Sequence, residues 1–596
     1  MPPGGPPWAS AEKPKSLWKT LWILLKYIGE FKWHIIAGIV FSLLSSVTLL
    51  LAPQYLADMT DGISSGIESG GMDFGPIAAA GIVLVVLYLL NMAFRTMESY
   101  VVPCASERNG NIMRKDLSAK LFRIPLRILD RMSAGDVMSR FTNDTDTIRT
   151  QSAECICDLV TALSMMVGSA IMMLITDSNL AVVSLIPVLI GFGLMLAIIK
   201  KSQKYFVAQA KNLGRMNSLV EEMYYGMDIV NTYNDGDHAM EIFDEINDSL
   251  YKSAFTTRFV SSLMPRMMDF LSNLGYVVVC VFGSAMILDG KIGFGVLVAF
   301  IVYVKQFTDP LLRLSDTLAS MQSVAASAER VFELLGTEEM EDESRKTREA
   351  PSVEGHVSFD HVCFSYDKGT PVIQDLCLDV HPGEKVAIVG PTGAGKSTIA
   401  NILMRFYELD SGKITIEGVD ISEMTRETLR SLFCMVPQES WTFGASIKEN
   451  ISLGKKDVSD ERIKEVCEAI GADQFIETLD EGYDTVLNES VQLSAGQKQL
   501  LMIARAMVRD APLLILDEAT SSVDTNLEKK VEAAMDRLKE DKASFIIAHR
   551  LSTIKDADVI LVVKDGRIEE KGTFKELLSA NGFFRTLYDS QFEGCD

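Results

Sequence analysis

Residues 390–398, GPTGAGKST, form a Gly-rich loop that closes on Lys-Ser. Such a loop can wrap backbone N–H groups around the phosphates of a nucleotide. Gly390, Pro391, Thr392, Gly393, Ala394, Gly395, Lys396, Ser397 and Thr398 are therefore the candidate cradle. Lys396 is expected to reach the β- and γ-phosphates, and Ser397 to supply an oxygen to Mg2+. A second segment, LLILDE at 513–518, is an apolar run that ends in two carboxylates. Asp517 can hold Mg2+, directly or through water, which leaves Glu518 to orient and polarise an attacking water. His549, one of six histidines in the chain, follows another apolar run and could contact the γ-phosphate. Gln438, after FCMVP, can sense Mg2+ or water and link the site to the rest of the molecule.

These side chains need a scaffold, and the surrounding residues supply one. KVAIVG, residues 385–390, reads as a buried strand, and STIANILMRF after the loop reads as a helix. That is the strand–loop–helix context a phosphate loop requires. LSAGQKQLLMIARAMVRD, residues 493–510, sets a polar, Gly-containing turn before a second helix. Ser494, Gly496 and the first amides of that helix are also suited to phosphate. Since the chain already has one phosphate loop, the second suggests a head-to-tail dimer. Each nucleotide would lie between one subunit's loop and the partner's LSAGQ.

The first half of the chain is of another kind. Apolar segments at about 35–56, 76–97, 155–176, 180–199, 270–288 and 294–315 are each close to the ~20 residues that cross hydrocarbon as a helix. Residues 57–75 hold no Lys or Arg, and 289–293 only Lys291, whereas 103–150 holds nine. This asymmetry predicts six spans with both termini and the long loops in the cytoplasm. Residues 17–28 read as an amphipathic helix at the membrane surface, and the Pro/Gly-rich start as disordered. Lys305, Asp309 and Arg313 share one face of the last span, either lining a path for substrate or forming a structural salt bridge.

A chain of 596 residues should split into at least two domains. The expected divisions are 1–14 (disordered), 15–32 (surface helix), 33–325 (membrane domain), 326–354 (linker) and 355–590 (nucleotide-binding domain). A net charge of -23 argues against a nucleic-acid partner. The nine cysteines are scattered; Cys155 and Cys157 lack a second pair to complete a metal site and read as ordinary buried thiols.

In order, these segments resemble an ATP-binding cassette (ABC) exporter half-transporter over nearly the whole chain. The resemblance implies a six-helix exporter-type transmembrane domain fused to a RecA-like α/β nucleotide-binding domain with a helical signature subdomain. It makes Tyr366 in CFSYDKG the adenine-stacking aromatic, Gln438 the Q-loop residue, Ser494, Ala495, Gly496 and Gln497 the core of the signature, Asp524 the D-loop residue and His549 the switch histidine. Residues 126–131 and 224–230 resemble the two coupling helices, the latter docking on the partner subunit. ATP and Mg2+ are implied as ligands, membrane lipids and an amphipathic drug, lipid or peptide as partners, and the bacterial cytoplasmic membrane as location. Import of a siderophore-like substrate and an ATP-gated channel stay open as alternatives. Ala495 replaces the first central Gly of the usual LSGGQ, and NESVQ at 488–492 also departs from the usual pattern. The PQESWTFGASIKEN segment at 437–450 and the SAGQKQLL signature resemble the catalytic-Glu-bearing half of bacterial heterodimeric exporters, which favours a non-identical partner; the membrane pattern does not distinguish this from a homodimer.

Overall fold

The computed structural model describes residues 17–29, 32–69, 73–346, 353–367, 369–455, 457–488, 491–517, 525–548 and 554–592. The chain forms two compact units, one of Met1–Ile124 with Met132–Glu338, the other of Pro125–Arg131 with Glu339–Asp596.

The first unit is helical. A short α1 (Leu17–Ile28) precedes the long α2 (Lys32–Ser69) and α3 (Phe74–Leu121). Outside this unit, α4 is the single turn Leu126–Leu129. The first unit resumes with α5 (Ala134–Ser139), α6 (Thr145–Thr176), α7 (Ser178–Tyr225), α8 (Met227–Thr232), α9 (Gly236–Leu288) and α10 (Phe294–Leu335). Among the described residues, five helices, those containing α2, α3, α6, α9 and α10, are long and apolar enough to cross a membrane, and α7 opens with a shorter apolar stretch, Ser178–Leu194. A helix suits this setting because it satisfies its own backbone hydrogen bonds where water cannot. The helices divide the work of packing. The apolar window of α10 is 59% buried and that of α3 only 6%, so α10 packs inside the bundle along its apolar stretch while α3 turns most side chains of that stretch outward and buries Val102, Ala105, Met113 and Leu117 further on.

Around α10 the bundle closes on Phe300, Tyr303 and Val304, with Met173, Leu180 and Val279 from its neighbours. The Tyr303 hydroxyl donates to the Leu50 carbonyl at 3.2 Å, and the Gln306 amide to Leu49 at 3.0 Å. Below the apolar zone a π-helical stretch, Arg140–Asp144, leads into α6. There the buried Asp144 carboxylate pairs with Arg330, while Arg140 donates to the Arg330 carbonyl at 3.0 Å.

α10 also corrects the expected linker. It continues past residue 325 to Leu335, because Val324, Ala325, Ala328, Val331 and Leu334 recur at helical spacing and are all buried. The later part of the linker is docked on the second unit. Glu343 pairs with Arg405 at 3.0 Å and Arg426 at 2.8 Å, and Lys346 donates to the Ser422 carbonyl. The helices run through Pro53, Pro187 and Pro310. Lys305, Asp309 and Arg313 are exposed and form no mutual ion pair among the described residues, so the salt-bridge alternative is not realised. Asp309 and Arg313 instead line a cavity of about 330 Å³ with Arg95, Asp158 and Gln306, and Lys305 does not reach it. A larger cavity of about 660 Å³ lies between α3 and α6, lined by Asn91, Arg95, Glu98, Val102 and Asp158 among others.

The described residues of the second unit hold two sheets. An antiparallel sheet runs in the order β2-β1-β4-β5, from β1 (Val357–Phe364), β2 (Ile373–Val380), β4 (Ser411–Ile416) and β5 (Val419–Asp420). The other is ordered β10-β9-β3-β8-β7-β6, from β3 (Lys385–Val389), β6 (Phe433–Val436), β7 (Leu513–Asp517), β8 (Ala543–Ile547), β9 (Val559–Lys564) and β10 (Arg567–Gly572). Its central strands are almost wholly buried, which is why they read as unbroken apolar runs rather than alternating ones. α11 (Lys396–Leu403) packs between the sheets through Ile399, Ile402 and Leu403. α12 (Arg426–Ser431) leads into β6. A helical subdomain of α13 (Ile447–Ile451), α14 (Asp460–Ile470), α15 (Asp473–Ile476), α16 (Ala495–Arg509) and α17 (Thr525–Leu538) encloses a separate core of Ile463, Val466, Leu500, Ile503 and Leu538.

Candidate functional site

Parallel strands carry the candidate residues to one edge. β3 pairs with β8, β8 with β7 and β7 with β6, each in parallel, and Ile547 is level with both Ile388 and Asp517. The carboxyl ends of all four therefore lie side by side, the edge at which open α/β sheets bind ligands. The phosphate loop leaves β3, Asp517 ends β7, and the exposed Gln438 follows β6. Three expected residues of this edge and its surroundings, Glu518, Asp524 and His549, lie outside the described residues.

The loop's glycines have defined work. Gly395 stands at φ +103 immediately before α11, a conformation other residues adopt with strain. At Gly390 a side chain would meet the Val563 carbonyl oxygen at 2.2 Å, so only glycine lets the loop turn out of the sheet. Thr392 and Gly393 are exposed, Pro391 is half-buried, and Ala394 is buried in the core beneath them. Lys396 folds over this loop, its ammonium donating to the carbonyls of Gly390 at 2.7 Å and Pro391 at 3.0 Å. Burial pulls its pKa below that of an ordinary lysine, while the negative charge of Asp517 pulls it back up. Ser397 is exposed at the start of α11 and Thr398 is buried behind it. A glycine-lined turn, a desolvated ammonium and a facing carboxylate fit a nucleotide triphosphate with Mg2+.

Tyr366 follows β1 and touches the same loop from the other side. Its hydroxyl lies 3.2 Å from Thr398 Oγ1 and accepts from Asn401 at 3.3 Å. Its ring meets Phe364 and Tyr407 edge-on, with centroids 4.9 and 5.1 Å away. Sequence reasoning missed Tyr407 and Arg127. Arg127, on α4, donates from Nε to the Tyr366 carbonyl at 2.7 Å, and the Tyr407 hydroxyl bonds Asp130. Arg131 pairs with Asp367. Residues 125–131 are thereby part of the nucleotide-site unit although they interrupt the helices of the first. The charge of this short segment was visible in the sequence, but its partners lie hundreds of residues away.

The LSAGQ turn is built as a helix start. Ser494 caps α16 by accepting from the Gln497 amide at 3.3 Å, while the Gln497 side chain accepts from the Ser494 amide at 2.8 Å. This reciprocal pair is a capping box and fixes the direction of the free amides. Ala495 is exposed at the first helical position and Gly496 is buried. Among the described residues, no hydrogen bond or ion pair joins Ser494–Gln497 to the phosphate loop. Cys155 and Cys157 are buried, as expected of ordinary thiols, and no described cysteine forms a disulfide.

Comparison with known proteins agrees with this division. Residues 35–311 match the ABC transporter transmembrane region, and residues 373–521 match the ABC transporter family. A fatty acid ABC transporter ATP-binding/permease protein of Mycobacterium bovis is 41% identical over 89% of this chain and 83% of its own length. An uncharacterized ABC transporter ATP-binding protein of Bacillus subtilis is 35% identical over 98% and 96% of the two chains. A probable multidrug resistance ABC transporter of the same organism is 32% identical over 86% and 77%. A bundle of membrane-length helices and an ATP-hydrolysing α/β domain in one polypeptide, matched along both parts, place this chain in the ABC transporter family, as a fused permease and ATPase that drives transport across a membrane.

Proposed function

We propose that this chain is one half of a dimeric exporter that moves an amphipathic substrate, with a lipid or fatty acid as the first class to test. One observation carries the proposal. The phosphate loop, Lys396 and Asp517 converge at one sheet edge in a chain whose other unit has an open cavity of about 660 Å³ between membrane-length helices. The names of the fatty-acid and multidrug relatives support the substrate class. The apolar start of α7 serves as a sixth span beside the five long ones, with both termini in the cytoplasm of a bacterial inner membrane.

In this reading Gly390–Thr398 cradle the phosphates and Tyr366 stacks on adenine. Lys396 leaves its two loop carbonyls for the β- and γ-phosphates. Ser397, Gln438 and Asp517 hold Mg2+, which when bound offsets the charge of the phosphates. Glu518 orients the attacking water, His549 contacts the γ-phosphate, and Asp524 lies at the dimer contact. Ser494–Gln497 serve the nucleotide held by the partner, which accounts for a phosphate-binding helix start away from the chain's own loop. ATP favours the closed pair of ATPase domains and an outward-open membrane half, and hydrolysis resets the inward state. Around α8, Tyr224, Tyr225, Ile229 and Tyr233 are 65–79% exposed, an apolar patch suited to docking on the partner subunit. Ala495 favours a non-identical partner.

The test is vesicle transport. Protein reconstituted in lipid, supplied with a fluorescent fatty acid and Mg-ATP, should accumulate it on the side away from the ATPase domain. E518Q should retain ATP binding and nearly abolish hydrolysis and accumulation. Wild-type flux that only dissipates a gradient would identify a channel, and accumulation on the ATPase side an importer.

A further inference from the structure

Three of the chain's six histidines, His356, His361 and His381, stand on or beside the β1–β2 strand pair. Two groups of metal-capable side chains result there, His361 with Asp375 and Cys377, and His356 with Asp379 and His381; within each group the donor atoms lie within 4.8 Å of one another. Neither group belongs to the phosphate-loop edge, and the family comparison gives them no task. We propose that His361, Asp375 and Cys377 form a binding site for a thiophilic divalent cation of the Zn2+ class.

An imidazole nitrogen, a carboxylate oxygen and a thiol sulfur converge, the mixed set that Zn2+ prefers and Mg2+ does not. His361 Nδ1 is 3.6 Å from Cys377 Sγ. Zinc bonds of ~2.0 Å to nitrogen and ~2.3 Å to sulfur at a tetrahedral angle require a separation of about 3.5 Å. The same Nδ1 lies 2.5 Å from Asp375 Oδ1, a hydrogen-bond distance that opens by rotation of an exposed carboxylate. The backbone brings these groups together at a break in the strand pairing, between Phe359↔Leu378 and Val362↔Leu376, where His361 (φ 49) and Asp375 (φ 55) both take the left-handed conformation. Such irregularities re-aim side chains that a regular ladder would keep apart.

Binding exchanges protons for metal. The His361–Asp375 hydrogen bond breaks, His361 binds through Nδ1 as the neutral imidazole with its proton on Nε2, the Cys377 thiol gives its proton to solvent, and Zn2+–N, Zn2+–O and Zn2+–S bonds form with no change of oxidation state. Water completes the fourth position. The clamp would tie β1 to β2 at the base of the hairpin that carries Tyr366.

Nucleotide-free full-length protein in lipid nanodiscs, titrated with Co2+ alone, tests the site. Wild type should develop a near-ultraviolet thiolate-to-cobalt charge-transfer band that one equivalent of Zn2+ removes. C377S should lose the band. H361N, whose new side chain tolerates the left-handed backbone, should weaken Co2+ binding on the order of tenfold or more. The double variant H356A/H381A should keep the band, and all variants should elute and melt as wild type, since His361, Cys377 and His381 are exposed and His356 is half-buried. Absence of the band in wild type, or its persistence in C377S, would overturn the proposal, as would its loss in H356A/H381A alone.

Discussion

Lys396 is held between opposing influences, desolvation that favours its neutral form and the Asp517 carboxylate that favours the charged one. The net shift is downward, so the ammonium needed to meet phosphate is lost at a lower pH than for an ordinary lysine. Affinity for a fluorescent ATP analogue should therefore fall as pH rises on the alkaline side, before the general decline set by other lysines. K396A should remove that limb of the profile together with most of the affinity, on the order of 2–4 kcal/mol for losing a charged partner of the phosphates. A K396A profile with an unchanged alkaline limb would assign the titration to another group. Glycine matters at this scale too. Gly390 has the Val563 carbonyl against it, so G390A should disturb the loop and its neighbour β9 together, visible as lower thermal stability as well as lost nucleotide binding.

At the scale of elements, α4 and its flanks share the second unit with the nucleotide site and reach Tyr366 through Arg127. Burial and the bond to Asp130 raise the pKa of Tyr407 well above that of a free phenol, so its hydroxyl stays protonated and donating at any physiological pH. Y407F keeps the ring against Tyr366 and removes only that bond, worth about 1–3 kcal/mol for a charged acceptor. The expected result is a nearly unchanged ATP affinity with a smaller stimulation of ATPase by substrate. Equal loss of basal and stimulated activity would make Tyr407 a packing residue alone. In α16 the capping box makes a separate prediction. S494A should cost roughly 1 kcal/mol of local stability, read as a lower melting temperature of the ATPase domain.

For the whole molecule the open question is the partner. If, as proposed, the LSAGQ amides serve a nucleotide presented by a second subunit, ATPase activity should require a two-copy or two-chain assembly. Reconstituted alone, this chain is expected to hydrolyse ATP poorly, and co-expression with a non-identical half should restore turnover that E518Q removes. Robust Glu518-dependent activity from a two-copy assembly would instead establish a working homodimer and show that Ala495 is tolerated. Substrate choice belongs to this scale as well. Asp309 and Arg313 reach a cavity that Lys305 does not, so R313A should alter substrate-stimulated activity more than K305A does.

The sequence by itself determined whatever depends on short range. A phosphate loop, an apolar strand ending in acids and a polar, Gly-containing turn before a helix each occupy few residues, and the chemistry expected of them follows from local spacing. Hydrocarbon thickness likewise makes a span legible as a run of about 20 apolar residues. Tertiary structure decided what depends on distant partners. It carried α10 through the expected linker, because Val324, Ala328 and Val331 find a bundle to bury against. It also placed Arg127 on Tyr366 and Tyr407 on Asp130, pairs 239 and 277 residues apart, which no periodicity links. The His361 group is of the same kind. Its donors come from two strands, and their meeting depends on a register break that only the folded hairpin creates.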